Sequence, residues 1–484
     1  MSREHILAID EGTTGVRALV IDASSSVRGH AYRPIETRCP GPGLVEHDPE
    51  NIWNETRAVA GAALEAARLA PADLGALGIT TQRSTALLWD ADTGRPLGPA
   101  VSWQDQRTAA RCRELEALGL WVSPLASATK IEWLLSRADG ASTRRLRAGT
   151  VDSWLVWRLT AGGCHVTDPS NASCTGLYNF FDGGWDDAPL QALRIPRELL
   201  PDIRPSSGIV GEALAPFLGH PIPIAGMAGD QQAAMFGQLC VEPGSIKATF
   251  GTSAMFDLHT GAQPAPPGPG VFPLILWQLG EDRPYCLEGS AITAGAAVQW
   301  LRDGLGVISR LEECETLAAS VPDAGGAWVV PAFQGLGTPY ALPGVRATVG
   351  GLSRATTKAH IARALLEGIA FRGREVFDAL LETAAAPRPA TLRVGGGAAR
   401  NDLLMQTLAD VLGLPVERPR VIEAGCLGAA YFAGHAVGLW RDLEELRRAW
   451  RLDRLFEPQW SPAVREERWS RWRRTIEAAI AAAS

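Results

Sequence analysis

Short apolar runs alternate with longer alanine-rich stretches along the chain. Residues 6–10 and 16–21 are apolar runs of strand length, and the Glu-Gly-Thr-Thr-Gly turn between them predicts a hairpin. A helix-like stretch at 51–70 then precedes a strand-like run at 75–80. Such alternation of strands and helices predicts an α/β protein with layered sheets.

The middle of the chain repeats the first hairpin. Residues 245–258 form a second strand–turn–strand unit, with Gly251 and Thr252 in its turn. The repetition predicts two similar halves. We therefore expect an N-terminal domain at 1–240 and a C-terminal domain at 241–484.

The C-terminal segment is rich in arginine and tryptophan, a composition that also occurs in nucleic-acid-binding segments. Trp469, Trp472, Ile476 and Ile480 recur at helical spacing, however, and would share one face of a helix. The pattern therefore predicts an amphipathic helix that packs on the core and leaves its arginines in solvent.

Composition limits the classes of protein to consider. The 484 residues are 46% hydrophobic and 20% charged, which is typical of globular proteins and sufficient for two or three domains. A net charge of −7 argues against a partner that is nucleic acid or an acidic membrane. The chain shows neither a signal-peptide pattern nor an apolar run of membrane-spanning length, so we predict a cytoplasmic protein.

Eight cysteines are scattered along the chain, and no two are spaced as in a zinc ribbon or a redox dithiol. We expect them to be reduced and to act mainly as small buried hydrophobic residues.

The first hairpin carries residues that suit phosphate binding. Its glycine lets the backbone approach an anion, while hydroxyl groups donate hydrogen bonds and a guanidinium adds charge. An acid at the end of a strand could hold magnesium directly or through water. These residues are Asp10, Gly12, Thr13, Thr14 and Arg17. A hairpin without a ligand remains an equally good interpretation of this segment alone.

The second hairpin strengthens the phosphate hypothesis. Two facing hairpins, the second with Gly251 and Thr252, could clamp a polyphosphate from both sides. A third glycine-rich turn at 394–398 follows a strand, but its spacing fits neither the dinucleotide fingerprint nor the P-loop.

Asp230 follows a strand-like run at 222–227 and opens an apolar helix that extends to residue 239. An acid in that position is often an N-cap. Near phosphate loops it could instead accept the proton of an attacking hydroxyl. The residues alone leave both interpretations open.

Longer patterns give the chain a resemblance to the FGGY carbohydrate kinases and, within them, to the glycerol kinases. The two family patterns lie at 127–134 (SATKIEWL) and 347–367, and the similarity extends from residue 6 to about residue 440. Four further stretches resemble glycerol kinases in particular: LVEHDP from Leu44, AGDQQAAMFGQLCV from Ala228, AITAGAAVQWLRD from Ala291 and PAFQGLGTPY from Pro331.

The resemblance implies a fold and a set of site residues. We expect two ribonuclease-H-like domains of the actin and sugar-kinase type flanking an ATP-binding cleft, with ATP and Mg²⁺ as cofactors. Asp230 would be the general base, and both Asp10 and Asp230 would serve the metal. The residues matching nucleotide positions are Gly12, Thr13, Thr14, Arg17, Gly251, Thr252, Gly295, Gln299, Gly396, Gly397, Ala398 and Asn401.

The predicted substrate positions match the glycerol kinases in part. Arg83, Trp103, Asp230 and Gln231 are as expected, whereas Ser84, Leu125 and Met255 stand where a glutamate, a tyrosine and a phenylalanine are usual. Losing the carboxylate and the phenol removes two partners for substrate hydroxyls and leaves a roomier site.

We therefore expect phosphorylation of a small polyol, with glycerol to glycerol 3-phosphate as the leading reaction. A kinase for a tetritol, pentitol or pentulose is the alternative. An actin-like ATPase switch and a ligand sensor are the competing functions outside metabolism. The partner would be a small molecule, with neither nucleic acid nor membrane involved, and the family resemblance allows a homodimer or homotetramer.

Overall fold

The computed structural model describes residues 4–138 and 145–483. In chain order the strands are β1 His5–Gly12, β2 Gly15–Asp22, β3 Val27–Pro34, β4 Thr37–Arg38, β5 Glu46–His47, β6 Leu74–Thr81, β7 Ala86–Asp90, β8 Ala100–Val101, β9 Leu146–Thr150, β10 Val166–Thr167, β11 Asp202–Ile203, β12 Ser207–Ala213, β13 Ile222–Gly229, β14 Ile246–Phe250, β15 Ala254–Gly261, β16 Val271–Ile275, β17 Tyr285–Ala291, β18 Trp328–Val330, β19 Thr348–Gly350, β20 Leu392–Gly395, β21 Val416–Pro419 and β22 Leu452–Phe456. The helices are α1 Pro49–Ala67, α2 Ala109–Ala117, α3 Ala128–Arg137, α4 Val151–Leu159, α5 Pro169–Ser173, α6 Asp187–Ala192, α7 Ala215–Leu218, α8 Asp230–Gly237, α9 Gly295–Asp303, α10 Glu313–Ala319, α11 Lys358–Ala384, α12 Asp402–Leu412, α13 Ala424–Ala436, α14 Leu443–Ala449 and α15 Pro462–Ala481.

The chain divides into two compact units. Unit 1 comprises the residues up to 239 together with 274–284 and 425–450, and unit 2 comprises 240–273, 285–424 and the residues from 451 onward. Unit 1 thus gathers segments from both sides of residue 240, whereas the predicted domains were contiguous.

The main sheet of unit 1 contains the first predicted hairpin. Its strand order is β12-β13-β6-β1-β2-β3, in which β1 and β2 pair antiparallel while β1 and β13 both run parallel to β6. The apolar side chains of β1 are buried, as its uninterrupted hydrophobic run predicts. The predicted hairpin, the strand at 75–80 and the helix at 51–70 are all confirmed.

Helix α1 shows how local sequence sets these elements. The carboxylate of Asp48 caps the helix by accepting a hydrogen bond from the Glu50 amide, and Pro49 occupies the first turn, where no amide donor is needed. Arg68, in the left-handed region, ends the helix.

Unit 2 is built on a comparable sheet. Its strand order is β16-β17-β15-β14-β20-β21-β22, with β14 and β15 antiparallel and β14, β20 and β21 parallel. The second predicted hairpin is therefore confirmed, as is the α/β class. Each unit places a hairpin at the centre of its sheet and a parallel strand beside it.

Helix α15 confirms the amphipathic prediction for the C-terminal segment. Trp472 and Ile476 are buried in the core of unit 2, and Trp469 and Ile480 pack against that core half-buried. Arg471 and its arginine neighbours at 473–474 are exposed. Packing thus accounts for the aromatic residues of this segment.

All eight cysteines are free thiols. Five are buried, as expected, whereas Cys39 is exposed and Cys164 and Cys174 are half-buried. Within the described ranges, no helix is both long enough and apolar enough to cross a membrane.

A buried acid in unit 1 gives a first prediction. Asp152 accepts hydrogen bonds from the hydroxyls of Thr150 and Thr167 at 2.5 and 2.6 Å, and burial raises its pKa from 3.8 to about 6. A raised pKa contributes stability that is present in full below pH 3.8 and is lost as pH rises through about 6.

We therefore expect Asp152→Asn to remove part of the pH dependence of unfolding. Between pH 4 and 7, the free energy of unfolding of the wild type should fall relative to that of Asp152→Asn by up to about 3 kcal/mol, because one pKa unit corresponds to 1.36 kcal/mol. Urea titrations at several pH values measure this difference. A constant difference across that range would contradict the prediction.

Candidate active site

Three parallel strands of unit 1 end at one edge of the sheet. In register, Asp10 of β1 lies beside Thr80 of β6, which lies beside Ala228 of β13. The residues that follow these strand ends therefore meet at the same edge, which is the usual location of ligand sites in α/β proteins.

Asp230 and Arg83 form an ion pair at this edge. The Nε atom of Arg83 donates to Oδ1 of Asp230 at 3.0 Å, and Asp230 remains 32% exposed. Gly229 permits this approach, because a Cβ atom placed on it would lie 2.7 Å from Cδ of Arg83. The ion pair is therefore partly exposed to solvent.

The position of Asp230 separates its two interpretations. Helix α8 has Gly229 as its N-cap, so Asp230 is the first helical residue and not the cap. Its Oδ1 accepts from the Gln231 amide at 2.8 Å, and the Gln231 side chain donates to Oδ2 at 3.3 Å. Asp230 is therefore not the N-cap, although it satisfies one amide of the first helical turn, and its role as a general base stays a prediction.

The turn of the first hairpin lies next to Trp103. The indole Nε1 of Trp103 donates to the hydroxyl of Thr13 at 2.9 Å, and the Thr14 carbonyl accepts from the Tyr32 hydroxyl at 3.3 Å. Arg17 stands opposite Asp10 across the hairpin, and its Nε is buried without a hydrogen-bond partner among the described residues. A buried donor of this kind suits an anionic ligand.

Two of the predicted substrate residues differ in exposure and in the groups that they could offer to a substrate. The hydroxyl of Ser84 donates to the Cys174 carbonyl at 2.8 Å, and Ser84 is only 7% exposed. Leu125 is 42% exposed. The protein itself therefore uses the hydroxyl proton of Ser84, and Leu125 offers an apolar surface without a donor.

Glu11 was not predicted as a site residue, yet it lies among the acids of this edge. It is fully buried and accepts from Nε2 of Gln82 at 3.1 Å. Burial raises its pKa well above the ordinary value; the Gln82 hydrogen bond opposes that effect, and the charges of Asp10 and Asp230 add to it. No sequence pattern marks it, since an acid at the end of an apolar strand usually points to solvent.

Unit 2 brings part of the predicted nucleotide set together. The amides of Ala294 and Gly295 donate to the carbonyls of Thr252 and Gly251, both at 2.9 Å. A Cβ atom placed on Gly295 would lie 2.5 Å from the Gly251 oxygen and 3.8 Å from the Cβ of Ala398. Glycine is therefore required where α9 begins.

The third glycine-rich turn follows β20. Gly396 has a φ of +83°, and a Cβ atom placed on it would lie 2.6 Å from the Phe250 oxygen. Gly397 instead faces open space. Asn401 caps α12 by accepting from the Leu404 amide at 2.8 Å, which uses its side-chain oxygen.

Two further predicted residues also lie in unit 2. Gln299 is exposed on α9. Met255 lies on β15, paired with Thr249 and Ser290, and is half-buried. Their roles in binding stay predictions.

Comparison with known proteins identifies relatives over almost the whole chain. Residues 5–237 match the model for the N-terminal domain of the FGGY family of carbohydrate kinases, and residues 246–437 match the model for the C-terminal domain. The chain is 49% identical to a glycerol kinase of Trichlorobacter lovleyi, with 98% of each chain covered.

Solved structures of carbohydrate kinases also match this chain over almost its whole length. A crystal structure of Plasmodium falciparum glycerol kinase with ADP matches with a TM-score of 0.88 at 30% identity, covering 98% of each chain. A ligand-bound xylulose kinase of Lactobacillus acidophilus matches with a TM-score of 0.85 at 21% identity, covering 99% of this chain and 98% of its own, which speaks for the fold alone. The expected sugar-kinase fold is confirmed, and it is shared by kinases of different substrates.

Proposed function

We propose that this chain, which belongs to the FGGY family of carbohydrate kinases, transfers the γ-phosphoryl group of ATP to a hydroxyl of glycerol. Membership of the family makes it a kinase with an alcohol acceptor, and this sets aside both the actin-like switch and the ligand sensor. Glycerol is favoured by the extent of the similarity to glycerol kinases. The observation that carries the chemistry is the partly exposed Asp230–Arg83 pair at the edge of the unit 1 sheet.

In this proposal the hydroxyl oxygen of the substrate attacks the γ-phosphorus of ATP, and Asp230 accepts the proton of that hydroxyl. The bond to the β,γ-bridging oxygen breaks, and ADP leaves with the electron pair. Arg83 holds one oxygen of the Asp230 carboxylate, so the other oxygen is fixed in orientation and remains able to accept the proton. Little covalent assistance is needed, because positioning and charge neutralisation dominate phosphoryl transfer.

The hairpin of unit 1 supplies the phosphate contacts in this account. Thr13 and Thr14 lie in its turn, and the buried Nε of Arg17 provides a donor that has no hydrogen-bond partner among the described residues. The glycine turns around Gly251 and Gly396 supply the nucleotide contacts of unit 2. Open space beside Gly397 supports a ligand on that side of the turn.

The acids of unit 1 fit Mg²⁺. Asp10 and Asp230 offer hard oxygen ligands, and Gly425 keeps room beside the Asp10 carboxylate, since a Cβ atom there would lie 3.3 Å from Oδ2. In the described ranges, no cluster of three or more acidic, histidine or cysteine side chains could hold a metal by itself. Mg²⁺ commonly takes one or two carboxylates with phosphate oxygens and water, and when bound it would neutralise charge on the phosphates.

Leu125→Tyr tests the acceptor. In glycerol kinases a tyrosine is usual at this position, and the exposure of Leu125 leaves space for the larger ring. If glycerol is the acceptor, the added phenol should lower KM for glycerol by about fivefold, because one hydrogen bond contributes about 1 kcal/mol net. Coupled ADP release with glycerol, erythritol, pentitols, ketopentoses and dihydroxyacetone measures the preference.

Leu118→Tyr is the matched control, since Leu118 is exposed at the end of α2 and belongs to no predicted site. It should leave every KM unchanged. If Leu125→Tyr instead weakened the best substrate of the wild type, and that substrate were a longer polyol or a pentulose, the alternative acceptor would replace glycerol.

A further inference from the structure

Lys130 is a fully buried cation whose role the proposed chemistry does not explain. It lies in the first half of α3, and its neighbours Thr129 and Ile131 are buried as well. Removing an ammonium group from water is costly unless other groups replace its hydration. A buried lysine therefore needs a structural or functional reason.

The partners of Lys130 are two backbone carbonyls. Its Nζ donates to the Trp103 oxygen at 3.2 Å and to the Leu125 oxygen at 3.1 Å. In the part of the chain that the structure describes, no carboxylate lies within ion-pair distance of it; the nearby acid Asp105 pairs with Arg107 at 2.8 Å. Lys130 thus joins the Leu125 segment, five residues before it in sequence, to the Trp103 segment, 27 residues before it.

Both segments carry residues that are predicted to contact the substrate, the molecule that accepts the phosphoryl group. Trp103 is held at three points: its amide donates to the Thr85 hydroxyl at 3.2 Å, its carbonyl accepts from Lys130, and its indole donates to Thr13 at 2.9 Å. The Leu125 amide donates to the Ser123 hydroxyl at 3.2 Å, and its carbonyl accepts from Lys130. Lys130 is the group shared by the Trp103 and Leu125 backbones.

We propose that Lys130 is a positioning residue that sets the separation of Trp103 and Leu125 and thereby the fit of the acceptor. This inference rests on the proposed function for the identity of the substrate. The hydrogen bonds by which Lys130 holds the two backbones do not depend on that function. Lys130 touches neither substrate nor nucleotide in this account. It acts through the two carbonyls that it holds.

Electrostatics support the proposal. Burial lowers the pKa of Lys130 to about 7; the nearby Asp105 and Cys112 side chains oppose that effect, and Arg107 adds to it. Because charge-assisted hydrogen bonds are the stronger ones, loss of the proton above neutral pH weakens the hold on both carbonyls. The acceptor KM of the wild type should therefore rise between pH 7 and 9.

Lys130→Met tests this directly, because methionine retains the length of the side chain without a donor. We expect KM for the acceptor to rise about tenfold or more, with kcat and KM for ATP changed much less, and the rise of acceptor KM with pH to disappear. Lys130→Gln, which keeps a donor, should restore part of the acceptor affinity. Ile131→Ala, the next position of the same helix, removes packing alone and should lower thermal stability without changing acceptor KM.

A second readout does not require turnover. The indole ¹H–¹⁵N resonance of Trp103, assigned with Trp103→Phe, should shift in Lys130→Met and stay in place in Ile131→Ala. In the wild type it should shift with a midpoint near pH 7. In Cys112→Ala the transition should persist at the same or a lower pH, because Cys112 is one of the groups that oppose the lowering of the Lys130 pKa. This wild-type titration stands even if the Lys130 variants do not fold.

The outcomes separate the two hypotheses. A wild type that phosphorylates no polyol would overturn the proposed function, while the indole resonance would still test Lys130. An unchanged indole resonance in Lys130→Met, or in a wild-type titration from pH 6 to 9, would overturn the positioning role. The positioning role would also be overturned if Lys130→Met and Ile131→Ala lowered kcat and raised both KM values to the same extent. Such a result would indicate general destabilisation.

Discussion

Asp230→Asn should lower kcat by about 10²- to 10⁴-fold, which is the usual contribution of a general base. Asparagine has the same shape as aspartate but cannot accept the hydroxyl proton. Because its side-chain oxygen can still face Arg83, the local structure should persist and the affinity for nucleotide should change little. Steady-state ADP release and calorimetric binding of ATP measure these two quantities.

Asp187→Asn is the control for this prediction. Asp187 is likewise the first residue of a helix in unit 1, but it is exposed on the surface and pairs with Arg197. Its replacement should leave kcat unchanged. If Asp230→Asn retained more than about a tenth of the wild-type kcat, another group would have to take the proton, since one lost base costs at least about 10²-fold.

Gly295→Ala should raise KM for ATP by about tenfold or more. The added Cβ would lie 2.5 Å from the Gly251 oxygen, so the start of α9 and the turn at Gly251 and Thr252 must separate. Overpacking of this kind costs about 1–3 kcal/mol, and about 1.4 kcal/mol corresponds to a factor of ten in affinity. KM for the acceptor should change much less, because the predicted acceptor residues other than Met255 lie in unit 1.

Gly344→Ala controls for glycine replacement as such. Gly344 also lies in unit 2, has open space where a Cβ atom would stand, and does not adopt a positive φ. It should leave KM for ATP unchanged. A Gly295→Ala protein that folds as stably as wild type and binds ATP normally would remove this turn from the nucleotide site.

The sequence predicted those parts of the fold that depend on local pattern. Both hairpins follow from apolar strand runs broken by Gly-Thr turns, and the burial of Trp472 and Ile476 follows from helical spacing. The unit boundaries were harder to predict. Segments 274–284 and 425–450 pack with unit 1 through contacts between residues that are far apart in sequence. Local composition does not predict such contacts.

The site shows the same division. Residue types alone predict that the first hairpin binds phosphate, whereas the pairing of Arg83 with Asp230 depends on how the parallel strands β6 and β13 align. Lys130 lies in a pattern that identified the family, yet its partners are backbone carbonyls, which sequence does not distinguish. Glu11 was missed because its burial depends on neighbouring strands.

The structure explains what changes when Ser84 and Leu125 replace the glutamate and the tyrosine that are usual in glycerol kinases. Ser84 turns its hydroxyl to the Cys174 carbonyl, so it does not replace the carboxylate usual at that position. Under the proposed function, the polar groups predicted to recognise the substrate are then those of Arg83, Trp103 and the Asp230-Gln231 pair. Recognition by fewer polar groups should discriminate less sharply among small polyols.

The most direct test of the central claim is the stoichiometry of glycerol-dependent ADP formation with ATP and Mg²⁺, with the product identified by ³¹P NMR. We predict one ADP for each glycerol consumed, glycerol 3-phosphate as the product, and near-complete loss of turnover in Asp230→Asn. ADP formation at the same slow rate with and without glycerol, and with every other polyol or sugar, would contradict the account.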